Sequence, residues 1–113
     1  MKKRFDIPIY DAVLWIVTTK SIAKERRKWE HVFGPSPASS DIAALCSYGT
    51  GHTFALFFEP KPDLKIVAHE VFHLAHRIMD WAGANFDGTH HEQGALLNGY
   101  LMDLVARHMK VIK

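Results

Sequence analysis

Apolar residues run without a break through Ala12-Val-Leu-Trp-Ile-Val17, a stretch rich in β-branched and aromatic side chains that ends in Thr18-Thr19. A short continuous run of this kind predicts a strand covered on both faces. We set it at Ile7–Thr19, with Pro8 among its first residues, where a missing N–H is tolerated. The period then lengthens. Ser21 is a candidate N-cap for a helix to about Phe33. Ile22, Trp29 and Phe33 fall on one face of it, and Lys24, Glu25, Arg27, Lys28 and Glu30 cover the rest. Gly34-Pro-Ser-Pro-Ala-Ser-Ser40 is a connector by composition, with a lid over a site as its functional reading. Ile42–Tyr48 and His52–Phe58 are two more strands, joined as a hairpin at Gly49-Thr50-Gly51.

Helical spacing returns after Pro62, with Asp63 as N-cap and Gly83 as the stop. Val67, Val71, Leu74, Ile78 and Trp81 make one apolar stripe. His69, His73, His76 and Asp80 make a second line, roughly opposite it at 100° per residue. The loop Ala84–Thr89 leads to a last helical run opening at His90-His91-Glu92. Its Leu97, Leu101 and Leu104 cover one side, and Glu92, Leu96, Gly99 and Asp103 the other. A helix apolar on both sides predicts a buried one. The predicted order is strand, helix, strand, strand, helix, helix. That is an α+β fold, a three-stranded sheet packed on two helices, within a single domain spanning residues 1–113.

Candidate chemistry is concentrated in the second line. His69-Glu70-Val71-Phe72-His73 is an H-E-x-x-H motif within a predicted helix. Imidazoles at i and i+4 share a face and can bind one divalent ion. The intervening Glu70 can reach a metal-bound water without being a ligand, and so serve as general base. An ordinary solvated face would carry Lys, Glu or Arg, so three histidines in one line favour a site. Zinc hydrolases hold the metal with three protein groups and leave the fourth position to water. Glu92 is the candidate third ligand, because Ala95 and Gly99 would let the two helices approach closely. His76, His90 and His91 compete for that role.

The arrangement His69-Glu70-x-x-His73 with Glu92 downstream resembles the zincin metallopeptidases, in the gluzincin manner. More narrowly, the last half of the chain is similar to small stand-alone zincin-like proteins of phages and prophages. The residues matching their second helix are Glu92, Ala95, Leu96, Gly99 and Leu101. ImmA/IrrE-type peptidases share the same logic. The metzincin pattern does not fit, since His76 stands where its Gly would be and Met79 where its third His would be. Leu96 occupies the place where larger gluzincins carry an acidic group, so support for the ligands would fall to Asp80, Asp87 or Asp103. The resemblance implies a minimal zincin-like domain, a His69–His73–Glu92 zinc site, Glu70 as base and a peptide or protein substrate. It also implies an edge strand, supplied by the hairpin, that pairs with extended substrate. Oxyanion stabilisation would come from Tyr48, His90, His91 or Tyr100.

Composition adds limits. The chain has 113 residues, 48% of them hydrophobic, and a formal charge of +2. The charge is too mild to predict a nucleic-acid partner. A phosphate-binding role for Lys24, Arg26, Arg27 and Lys28 is weighed against a solvated helix face, which the spacing favours. Cys46 is the one cysteine, which excludes an internal disulfide and fits a reducing compartment. No apolar stretch is long enough to span a bilayer, and Met1-Lys-Lys-Arg4 is not followed by a signal-like run, so a cytoplasmic protein is expected, in the host cytoplasm if phage-encoded. The expected function is zinc-dependent peptide hydrolysis. The alternatives are a zincin-like binding protein with a structural metal or none and, third, a metal-dependent nuclease.

Overall fold

The structure, a computed structural model, describes residues 1–36, 42–49, 51–84 and 90–111. It is α+β. The chain divides into two compact units, Met1–Pro60 and Lys61–Lys113.

The first unit is built on a four-stranded mixed sheet of order β1-β2-β4-β3. The strands are β1 (Lys2–Ile7), β2 (Ala12–Thr18), β3 (Ala44–Tyr48) and β4 (Thr53–Phe58). β2 and β4 are the inner pair and run parallel, with Leu14 opposite Phe54 and Ile16 opposite Leu56. Their near-continuous apolar sequences follow from that position, since inner strands are covered on both faces. β3 pairs antiparallel with β4 and stands at one edge, as expected for the hairpin. Thr50, expected in the hairpin turn, lies outside the described residues, as do residues 37–40 of the predicted connector.

The expected three-stranded sheet is corrected to four. The strand set at Ile7–Thr19 is two strands of a hairpin, β1 and β2, with Ile7 opposite Ala12. Pro8 sits in the turn between them, where Ile9 and Asp11 adopt positive φ of 75° and 51°. β1 escapes a periodicity search because Lys2-Lys3-Arg4 and Asp6 make it polar on both sides. Such charges suit an edge strand, where they discourage pairing with another chain. Lys2 also contributes internally, with its ammonium 5.9 Å from the Trp15 ring centroid and 5.6 Å from that of Trp29.

The helix expected over Ser21–Phe33 is two short helices, α1 (Ile22–Arg27) and α2 (Glu30–Phe33). Ser21 caps α1 by accepting from the Lys24 N–H at 3.4 Å. The turn at Lys28–Trp29 directs the Trp29 ring into a cluster with Val17, Ile22, Phe33, Ala55 and Phe57. Trp29 meets Trp15 and Phe57 edge-on, with centroids 5.5 and 6.1 Å apart. Arg26 is buried at 3% exposure beside this cluster. Its guanidinium donates to Ser47 Oγ at 2.8 Å and to the carbonyls of Gly34 and Phe33 at 3.0 and 3.4 Å. Burial pushes its pKa below the ordinary arginine value, and the nearby Glu30 carboxylate opposes the shift. Arg26 thus ties the end of α2 to β3.

The second unit consists of α3 (Leu64–Trp81) and α4 (His91–His108), which contact each other. Val67, Val71, Leu74 and Ile78 are fully buried, as the stripe predicts, together with Ala75 and Met79. Trp81, placed at the end of that stripe, is exposed instead. On α4 the buried positions are Gly94, Leu97, Leu101, Val105 and Ala106. The other side carries exposed Leu96 and Tyr100, so α4 is a one-faced helix rather than the wholly buried one expected. Among the described residues no helix is long and apolar enough to cross a membrane.

Candidate metal centre

α3 is capped at both ends. The Asp63 carboxylate accepts from the Ile66 N–H at 2.9 Å, a side-chain N-cap. At the C-terminus Gly83 has φ +81°, its N–H donates to the Asp80 carbonyl at 3.0 Å, and the Ala84 N–H donates to the Met79 carbonyl at 2.9 Å. These are the two bonds of a Schellman closure, and the left-handed position is one that glycine adopts without strain. Between these ends the buried stripe fixes the helix rotation. His69, His73, His76 and Asp80 therefore lie on the exposed side.

His69 Nε2 and His73 Nε2 are 3.2 Å apart, with the rings edge-to-face at 78° and centroids 4.7 Å apart. Two nitrogens bound to one tetrahedral zinc at about 2.0–2.1 Å are separated by about 3.3 Å. The contact is a hydrogen bond between the two rings, and its length is also near that nitrogen–nitrogen spacing, so the pair could be brought to one ion, which takes imidazoles in their neutral form. Glu70 Oε2 is 3.8 Å from His69 Nε2. The Glu70 side chain is only 12% exposed, whereas that of His69 is 68% exposed. A carboxylate at the buried margin of two exposed imidazoles can receive a proton from a water held by a metal on those imidazoles. One turn further along, His76 Nε2 and Asp80 Oδ2 form a second i,i+4 pair, 3.7 Å apart.

Glu92 is not brought to the histidines. It is exposed on the first turn of α4. Nine residues before buried Leu101, it projects on the opposite side of the helix at 100° per residue. The close approach expected through Ala95 and Gly99 is not the one the structure has. Ala95 is exposed, and a Cβ built on Gly99 meets nothing within 4 Å. The packed face is centred on Gly94, Leu97, Leu101 and Val105, whose spacing is as regular as that of the small residues. Among the described residues no group of three His, Cys, Asp or Glu side chains is placed to hold a metal. His69 and His73 are paired with each other, and no third such side chain is assembled with them among the described residues. Asp87, a proposed support for the ligands, lies outside the described residues, and so does most of the loop Ala84–Thr89. Asp103 is engaged by Arg107 at 2.8 Å.

The basic cluster of α1 does not form one face. Arg26 is buried in its carbonyl and hydroxyl bonds, and Lys28 pairs with Glu25 at 3.5 Å. Sequence reasoning missed a surface depression of the first unit lined by Arg4, Asp6, Asp11 and His52. No motif marks it, because its polar residues come from an edge strand and two separate turns. No family model matches the chain, and no curated protein or solved structure matches it.

Proposed function

We propose that the protein is a zinc-dependent hydrolase acting on peptide bonds, built as a minimal zincin-like unit. The single observation that carries this reading is the 3.2 Å separation of His69 Nε2 and His73 Nε2 with the Glu70 carboxylate at their buried margin. In this reading His69 and His73 hold zinc as neutral imidazoles. Zinc, when bound, acidifies a water and polarises the scissile carbonyl. Glu70 takes the proton at Oε2 and passes it to the leaving amine. Glu92 is the third ligand in this reading, and reaching the imidazoles requires α4 to shift at its first turn.

The test is hydrolysis of a randomised peptide library by zinc-loaded protein, compared with Glu70→Gln. The expected outcome is cleavage in the wild type that falls by about 10²–10⁴-fold in the variant while zinc stays bound. Cleavage that is unchanged in Glu70→Gln contradicts the assignment of the base.

A second reading, a binding protein whose metal serves contact rather than catalysis, draws on the missing third ligand among the described residues. It predicts zinc uptake without peptide cleavage. The nuclease reading loses its phosphate face with the burial of Arg26.

A further inference from the structure

We propose that the depression at the β1–β2 turn is a binding site for an organic cation with an apolar stem, an alkylammonium group. The site lies wholly within Met1–Pro60, so the inference is independent of the hydrolase reading.

Three segments build the walls. Arg4 and Asp6 are two apart on β1 and project from the same face of the sheet. Asp6 stands opposite Val13 of β2, and Val13 opposite Thr53 of β4. The Val13 N–H donates to the His52 carbonyl at 2.9 Å, which holds the turn before β4 to the inner strand. The hairpin turn adds Pro8, Ile9 and Asp11. The space between these segments is about 480 Å³, within the range of small-molecule sites. Buried Ile7, Ala12 and Val13 give it apolar lining.

The turn is also strained. Ile9 has φ 75° and Asp11 has φ 51°. Aspartate visits the left-handed region readily, whereas a β-branched residue there is an outlier. The Ile9 side chain is 97% exposed, so packing within the chain does not offset that cost. Strain of this kind collects at ligand clamps. An exposed apolar side chain held at the rim of a depression is placed to cover the stem of a ligand.

Charge selects the ligand. Arg4 Nη2 is 3.3 Å from Asp6 Oδ1, so the guanidinium and that carboxylate answer each other. Asp11 adds a second carboxylate, which leaves one acid in excess when His52 is neutral. An anion would meet that excess with repulsion, and a cation relieves it. Among the described residues no three His, Cys, Asp or Glu side chains are placed to hold a metal, so a bare metal ion would lack ligands here. An ammonium group on an alkyl stem matches both the carboxylate and the apolar lining. A free amine and a lysine side chain of a peptide both carry that group.

The experiment follows amide chemical shifts of the full chain during titration with n-pentylammonium and with Nα-acetyl-lysine N-methylamide. 1-Pentanol is the neutral control. Saturable shifts are expected at residues 4–13 and at His52, with 1-pentanol at least about tenfold weaker than n-pentylammonium. The tighter of the two ammonium probes identifies the source of the group. Asp11→Asn keeps the side-chain shape and a residue that tolerates the left-handed position. It is expected to weaken both ammonium probes by about tenfold and to leave 1-pentanol unchanged. Ile9→Gly removes the strain and the apolar rim together, so its melting temperature should rise while n-pentylammonium binds more weakly. The inference is overturned if 1-pentanol binds as tightly as the ammonium probes, if Asp11→Asn or Ile9→Gly binds them as wild type does, or if no saturable shift occurs at the turn. None of these outcomes bears on the hydrolase reading, which is tested at Glu70.

Discussion

Arg26 shows how a residue that looks like surface charge can organise a core. Its stem passes beside the aromatic cluster, with the guanidinium carbon 5.4 Å from the Phe33 ring centroid. Its nitrogens meet one hydroxyl and two carbonyls. Removing it leaves buried acceptors unpaired and a cavity where the stem lay. Arg26→Ala is expected to lower stability by about 2–4 kcal/mol, read as a fall in the urea midpoint at constant slope. Arg26→Lys should recover little of this, because an ammonium cannot reproduce the planar fork. A midpoint unchanged in Arg26→Ala would contradict the clasp. The motif residues are different in kind. His69 and His73 are exposed and cost the fold little, so their substitution should change metal binding rather than stability.

At the scale of elements, α3 is the part whose sequence and structure agree most closely. Its cap, its buried stripe and its glycine stop are each local signals, written within a few residues of the feature they set. Asp63→Ala is expected to cost about 1 kcal/mol, and Gly83→Ala a similar amount, the first through a lost cap and the second through left-handed strain. Thermal unfolding of the two variants checks both. A double variant should show roughly the sum, since the sites lie at opposite ends of the helix. The features that were not legible depend on partners distant in sequence. β1 is recognisable only once β2 is its neighbour, because its own residues are mostly charged. The break between α1 and α2 depends on where Trp29 finds Trp15 and Phe57. The face of α4 turned to its neighbours could not be chosen from spacing, since Glu92-Leu96-Gly99 and Gly94-Leu97-Leu101 are both helical lines. That one ambiguity separates the expected three-residue cluster from the pair of histidines observed.

For the whole molecule, the candidate metal chemistry lies in one of the two compact units. Met1–Pro60 contains the sheet and the Arg26 clasp, and Lys61–Lys113 contains every residue proposed to touch zinc. The central claim is that His69 and His73 form a zinc chelate and that Glu70 stands beside it without being a ligand. The most direct test is metal content by mass spectrometry, on protein purified without added metal, for wild type, His73→Ala, Glu70→Gln and Glu92→Ala. The account predicts about one zinc per chain in wild type and in Glu70→Gln, and loss in His73→Ala. Loss in Glu92→Ala identifies it as the third ligand, whereas retention assigns completion of the site to other groups. A wild type without zinc, whose melting temperature does not rise when zinc is supplied, contradicts the account.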